Sequence, residues 1–587
     1  MLQRSILVFL LVSTFAVRAE NAAAPVGAPV LERPTLLCLG AYWVIRGDDN
    51  GNAVVTVDYR IQGESDWRRG PNLFRVEKGR HVPDKYPARV DVPKDGRLFA
   101  GSVVMLKPDT AYELRLTLTD PDGGAATHTL AARTRGEPVE PPGMNVVHVA
   151  PPGEPAGDGS AGRPYRGIHA ARGKAKPGTV FLMHAGVYPG ELAVDKSGEP
   201  GRPIVFRAAG DGEVVLDGAS TPEKRTPRVI TAANVHDVWF EGLTIRNATY
   251  GISANDSARV VVRRCKITNV DYGFSATRDT DGRRCEDHLI VDNVIEGPSA
   301  WPRGKGIENA RGVQVTGAGH VVAYNRIRAF ADAMDTYPSP RVEAIDFHHN
   351  DCTEMTDDGC ELDYSQRNTR CFANRFTNVF QGISVQPVFG GPTYVFRNAL
   401  YNVPMEPFKI HNGPSGALFY HNTVVKKGPP MLVLTPEPAS NLVMRNNLFV
   451  GTNYVAGVKM SACAWECLPR MTYCDFDYSA FVGEGYPVYL KWNGTRYPTF
   501  EAMRAKSPIE RNALRLKAAG LFASGAVPPS DEKVEQKVTD LRPAAGAGVV
   551  DAGEVLPGFN DGFGGKGPDI GAYEAGEEMP KYGPRER

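Results

Sequence analysis

Residues 371–400 read CFANRFTNVFQGISVQPVFGGPTYVFRNAL, and within them Asn374 and Asn398 each open an Asn-x-apolar triplet, three residues after Cys371 and Val395. The arrangement recurs at Asn350, Asn422 and Asn446 at an interval of 24, with Phe347, Phe419 and Val443 in the preceding position. Toward the N-terminus, Asn325 stands 25 residues earlier and Asn293 a further 32. A period in the twenties, built from short strand-like runs without helical periodicity, predicts a solenoid whose coils bury their apolar faces only against their neighbours. Leucine-rich repeats share this length, but their leucine framework is absent.

Counting from each asparagine places equivalent residues in one column. Glu361 and Asp363 lie 11 and 13 residues after Asn350, and Lys409 and His411 lie 11 and 13 after Asn398. Cys360, Leu362, Phe408 and Ile410 alternate with them and take the inward positions, so the four polar residues face out on one sheet. In the coil between, the apolar residues of Gly382–Gln386 shift by one, which predicts a bulge there with Ser384 and Gln386 outward. Glu361 and Lys409 are two coils apart, about 10 Å, too far for a direct ion pair. TDDGCELD (356–363) crowds Asp357, Asp358 and Glu361 together, and Asp332 or Asp335 approaches from the coil before. This is an oxygen-only, strongly negative set, suited to a hard cation such as Ca2+. The competing reading is a solvated turn.

The repeat, from residue 145 to 451, looks like the right-handed parallel β-helix of the pectin-lyase-like superfamily, in which asparagines stack at a turn. GDGSAGRPYRGIHAARGKAKPGTVFLMHAGVY (157–188) resembles the segment that opens such helices, with IHAARGKA as a capping helix, and residues 452–587, with GPDIGAYE, resemble their closing segments. Asp357-Asp358-Gly359-Cys360-Glu361-Leu362 and Pro407-Phe408-Lys409-Ile410 resemble motifs of the family-nine, calcium-dependent pectate lyases. That resemblance implies Asp357, Asp358 and Glu361 as calcium ligands and Lys409 as the base. Glu361 replaces the family's last aspartate, Pro407 replaces a glycine, and the lysine comes about one coil late. These departures point to a different uronic-acid substrate.

Residues 31–136 carry alternating strands such as AVVTVDYRI and YELRLTLTD, with turns at DDNGN and DPDGG. LKPDTAYEL (106–114) resembles the corner of a fibronectin type III sandwich, with Tyr112 tying its hydroxyl back to nearby backbone. Residues 137–143 form a proline-rich linker. The expected class is therefore all-β: a small sandwich followed by a parallel β-helix. Residues 1–19 read as a signal peptide, with Arg4, an apolar run and Val17-Arg18-Ala19 before Glu20, so a secreted (periplasmic or extracellular) protein without a membrane anchor is expected. Lys plus Arg and Asp plus Glu balance at 67 each, which excludes broad electrostatic capture of nucleic acid. Nine cysteines suit an oxidising compartment, and Cys463, Cys467 and Cys474 read as a local disulfide rather than a metal site. A monomer is expected.

The chemistry these residues support is β-elimination on an acidic, uronate polysaccharide. Calcium neutralises the carboxylate, Lys409 removes the C5 proton, and His411 orients substrate or protonates the leaving oxygen. Asp363, Gln386, Trp301, Arg303 and Lys305 are candidates for binding the sugar chain, as are Arg278, Arg283 and Arg284 on a second loop. Three alternatives stand beside this: a hydrolase using Asp358 with Asp332 or Asp335, a C5-epimerase, and a non-catalytic carbohydrate binder.

Overall fold

The computed structural model describes residues 21–76, 96–221, 224–280, 285–304, 309–339 and 341–586. The signal-peptide reading of residues 1–19 and the binding candidates Lys305, Arg283 and Arg284 lie outside the described residues.

The N-terminal module is a small β-sandwich. One antiparallel sheet contains Leu39–Arg46 and Gly96–Val103, and the other contains Val54–Ile61, Ala111–Thr119 and Ala125–Arg133. Alternate residues of both sheets, among them Trp43, Ile45, Val55, Val57, Leu114 and Leu116, are buried in one core. The Tyr112 hydroxyl accepts from the Lys107 amide at 3.0 Å. The sandwich packs on the solenoid through buried polar contacts: Arg367 Nε donates to Glu32 at 2.6 Å, and Arg370 Nη1 donates to Ser102 Oγ at 2.9 Å.

Two parallel sheets, of 16 and 18 strands, wrap the solenoid. Their inner faces stack like on like. In one column Ile245, Ile267, Ile295, Ile327, Cys352, Phe376, Leu400, Val424, Phe449 and Phe481 sit in register, all fully buried. Burying each of the larger side chains contributes about 1.5–3 kcal/mol, so this column and its neighbours hold the coils together. The stacking runs past residue 451: Asp475–Asp477 pairs with Val443–Arg445, and Leu514–Leu516 pairs with Ala480–Val482. At the N-terminal end a short helix, Ile168–Arg172, buries Ile168 and Ala171 beside the first strand.

The asparagines form a continuous ladder through Asn293, Asn325, Asn350, Asn374, Asn398 and Asn422, each Nδ2 donating to the next Oδ1 at 2.9–3.0 Å. The last rung is Asn447, 25 residues on, and not Asn446. Asn446 turns instead to the C-terminal segment, where it bonds Glu554. Met444, rather than Val443, is accordingly the buried partner of Phe419.

The nine cysteines are all free. This corrects the expected disulfide. Cys463 and Cys467 lie on one strand, four residues and about 13 Å apart along it. Cys265, Cys352, Cys360 and Cys371 serve as small apolar fillers of the core.

Eight strands of the 18-stranded sheet carry the polar face discussed below: β1 (Arg228–Thr231), β2 (Thr244–Ser253), β3 (Lys266–Ala276), β4 (Arg311–Val315), β5 (Asp332–Thr336), β6 (Asp351–Glu361), β7 (Arg375–Ser384) and β8 (Phe408–Lys409).

Candidate functional site

Strand register sets the site. Gln314, Asp335, Glu361, Ser384 and Lys409 occupy one column from β4 to β8. Their neighbours Met334, Cys360, Ile383 and Phe408 are fully buried in the core.

The bulge lies one coil earlier than the apolar pattern suggests. Between β6 and β7 the register slips at Met355–Asp358, so the extra residue is in the acidic strand. Thr356 and Asp357 there bond back to Phe330 and Ala331 of the preceding coil. A bulge suspends strict alternation, which is how two consecutive aspartates, Asp357 and Asp358, both reach the same cluster. Ser384, in regular β7, is fully buried and donates to Asp363 at 2.7 Å. Gly359 follows the aspartates because a Cβ there would meet the Phe376 ring at 2.7 Å and the Gly382 carbonyl at 2.8 Å.

Carboxylate oxygens from Asp332, Asp357 and Asp358 lie within 4.8 Å of one another, and so do those from Asp332, Asp335 and Glu361. Both aspartates of β5 therefore face the cluster. Three cations answer five carboxylates. Arg303 Nη1 reaches Asp357 at 3.1 Å, Arg311 bridges Asp332 (3.0 Å) and Asp335 (2.8 Å), and Lys409 Nζ donates to Asp358 at 2.7 Å. At full ionisation two negative charges remain uncompensated.

Lys409 Nζ also lies 3.6 Å from Glu361. The expectation that these two residues are too far apart to pair is therefore wrong. The backbones are two coils apart, but the lysine stem leans back over the small Ser384. Burial alone lowers the Lys409 pKa, while the carboxylates of Asp358, Asp363 and Glu361 raise it and prevail. The protein's own groups thus favour the ammonium form. Burial also raises the carboxyl pKa of Asp332 and Asp358, and it brings Asp335 to about 7 despite Arg311.

The remaining candidates divide. Arg303 joins the cluster and lies over the Phe380 ring at 4.3 Å, whereas the partly buried Trp301 buries its indole nitrogen without a partner. Asp363, expected to meet substrate, is 6% exposed, and its Oδ1 accepts from Ser384 and from the Gln386 amide, so it ties neighbouring coils. Gln386 is half-buried, with Oε1 unpaired. Arg278 pairs with Asp256. His411 donates or accepts at Nε2 with Glu406 at 2.7 Å, and the other oxygen of Glu406 accepts from the Leu434 amide at 2.6 Å. Sequence reading missed Glu406 and Arg311. Glu406 lies in an irregular loop with no coil offset to place it, and Arg311 falls after a long insertion that breaks the count.

Two buried carboxylate oxygens, Asp335 Oδ1 and Asp358 Oδ1, have no partner, and Asp332 Oδ2 has only its ion pair with Arg311 at 3.0 Å. Unpaired charge of this kind is costly inside a protein unless a cation takes it up. All donors are hard carboxylate oxygens, the ligand type that calcium takes, and they converge on one another. The residues fit calcium.

Residues 229–424 match the family model described as the right handed beta helix region. The fold is a right-handed parallel β-helix. A stretch of the β-helix protein is 24% identical over 193 residues to Pectate lyase PEL9 of Emericella nidulans, covering 26% of this chain and 47% of that one. Another is 35% identical over 105 residues to the uncharacterized protein YwoF of Bacillus subtilis, covering 18% and 22%. The matches thus span about half or less of these relatives. Among solved structures, pectate lyase Pel9A aligns with a TM-score of 0.40 at 15% identity, over 74% of this chain and 98% of that one. No helix among the described residues is long and apolar enough to cross a membrane.

Proposed function

We propose that the protein is a polysaccharide lyase that cleaves an acidic, uronate-containing chain by β-elimination at the β5–β8 face. The observation that carries this reading is Lys409, the one lysine among the described residues paired into the carboxylate cluster, with its nitrogen bonded to Asp358 and facing Glu361. The β-helix fold and the local likeness to a protein named as a pectate lyase support the same reading.

Asp332, Asp357, Asp358 and Glu361, with Asp335, would hold calcium, which when bound supplies positive charge to the substrate carboxylate beside C5. The residues of the chain do the rest. Lys409 must act as a free amine. Asp358, Asp363 and Glu361 keep it protonated, against a burial that favours the neutral form. Engagement of Asp358 and Glu361 elsewhere removes two of these three charges and favours the free amine that takes the C5 proton. The C5–H bond breaks, its electrons form the C4–C5 double bond, and the C4–O bond opens. His411 follows Lys409 by two residues, about 7 Å along the chain, and Glu406 holds its Nε2. In its imidazolium form, with Nε2–H on Glu406, His411 carries a second proton on Nδ1 that can pass to the departing oxygen.

The test is ultraviolet absorbance of the unsaturated uronate product on a panel of uronate polysaccharides, with calcium or chelator. Lys409→Ala is expected to lower the calcium-dependent rate by about 10²–10⁴-fold. New reducing ends without that absorbance would sink the lyase reading and favour a hydrolase built on Asp358 and Asp332. Among the alternatives, the carboxylate pair explains no role for Lys409, so elimination is preferred.

A further inference from the structure

Toward the N-terminus the polar face continues beyond the carboxylates. Register runs from Asp332 to Arg311, then to Tyr272, Tyr250 and Arg228, one residue from each of β5, β4, β3, β2 and β1. The two tyrosines stack with ring centroids 4.6 Å apart and planes 15° apart, and the Arg228 guanidinium lies 5.7 Å from the Tyr250 ring. Stacked in this way the rings cover one another's faces and turn their edges outward. Tyr250, Tyr272 and Arg228 are all partly exposed. Among the described residues neither phenol hydroxyl has a hydrogen-bond partner, and Arg228 has no carboxylate partner.

In the column alongside, Ser253 and Ser275 are in register with Gln314 and Asp335 and nearly buried. Their small side chains leave the tyrosine edges and the guanidinium as the raised rim. From Arg228 to Asp332 is four strand spacings, about 19 Å, which leaves room for several pyranose rings.

We propose that this row, Arg228–Tyr250–Tyr272, is a binding rail for an acidic polysaccharide, holding the sugars of the same chain that lie beyond the bond broken at the carboxylate cluster. The proposal rests on the lyase reading. Charge and continuity commit it to that occupant. The rail offers two phenol hydroxyls, which donate and accept, and one guanidinium, a donor and positive charge, on its outer edge, a set that suits sugar hydroxyls and uronate carboxylates. It leads without a break into Arg311 and the cluster. A row purely for packing would keep the ring stack and have no use for the hydroxyls.

The experiment uses full-length Lys409→Ala protein in calcium, titrated by calorimetry with oligogalacturonides and oligomannuronides of three and seven residues. A second background carries Tyr250→Phe and Tyr272→Phe together, or Arg228→Gln. The phenylalanines preserve the stack, and thermal melting checks that the fold is intact. The expected result is a heptamer affinity about 10-fold weaker for Arg228→Gln, and 3–10-fold weaker for the double phenylalanine variant, with trimer affinity unchanged. Heptamer binding equal in all backgrounds would overturn the rail and leave the lyase reading standing. Equal losses for trimer and heptamer would also overturn it, since the residues would then act at the reaction centre. A failure of either oligomer series to bind any form, with no elimination by the wild type, would overturn both.

Discussion

The asparagine ladder and the carboxylate column are built the same way, one polar residue per coil at a fixed offset, and they differ in everything that follows. Each internal rung of the ladder is satisfied. Asn374 donates to the Phe347 carbonyl and to Asn398, and its own oxygen accepts two bonds from Asn350. In the carboxylate column and the aspartates beside it like charges crowd together, Asp335 Oδ1 and Asp358 Oδ1 have no partner, and burial pushes the carboxyl pKa values up. Amides are at once donors and acceptors, so identical rungs complement each other; carboxylates are acceptors only, so identical rungs compete. The ladder needs nothing from outside. The column does.

The largest effect is expected in the ladder. Asn398→Ala removes the bonds to Asn422 and to the Cys371 carbonyl, and leaves the Asn374 amides without their acceptor. With about 1–3 kcal/mol for each buried group left unsatisfied, a loss of about 3 kcal/mol or more is expected in urea unfolding, the same with calcium or chelator. A calcium-dependent loss would break the comparison, because the ladder would then be coupled to the site.

Next comes the column, with the opposite dependence. Wild type should gain about 2.7 kcal/mol of stability at a calcium concentration 100-fold above its dissociation constant. Asp332→Asn should lose that gain, yet stay within about 1 kcal/mol of wild type in chelator, since burial and Glu361 already raise the Asp332 carboxyl pKa and the amide keeps an acceptor for the Asp358 backbone. Melting curves with and without calcium check this. A clear destabilisation by Asp332→Asn in chelator would mean that Arg311 already satisfies the column.

The solenoid was legible because its period is written in residues that all do one job: Asn350 through Asn422 keep a spacing of 24 and the inward Phe347, Cys371 and Phe419 keep theirs. The column was legible for the same reason, so Glu361 and Lys409 were placed on one line before their contacts were seen. What offset counting misses is anything that depends on side-chain reach or on broken periodicity. The Lys409–Asp358 bond comes from a flexible stem crossing Ser384. The Asp357–Asp358 pair depends on a bulge that the apolar pattern misassigned to the next coil. Asn446 fits the period but gives way to Asn447, because Glu554 and His421, distant in sequence, claim its amide. That Cys463 and Cys467 share one strand, about 13 Å apart along it, is likewise not shown by their spacing.

The smallest expected effect sharpens the comparison through acid. His288, His320, His348 and His421 are fully buried in the β-helix and neutral, their pKa values depressed by burial, that of His320 to about 3. The unfolded chain titrates these groups near 6.5, so their contribution is complete above that pH and is lost as pH falls, at up to about 1.4 kcal/mol per unit for each histidine that remains neutral. The carboxylate column acts in the other direction. Asp335, with a folded pKa of about 7 and an unfolded value near 4, binds its proton more readily when folded, so its contribution grows as pH falls from 7 to 4. In chelator the two oppose each other between pH 7 and pH 5.5, and Asp335 offsets part of what the histidines lose. Asp335→Asn removes that offset, while the raised Asp332 and Asp358 keep theirs. Its melting temperature should therefore fall more steeply over that interval than the wild-type value. Parallel slopes for the two proteins would show that Arg311 keeps Asp335 ionised in the folded state, and that the column is better satisfied than its unbonded oxygens indicate.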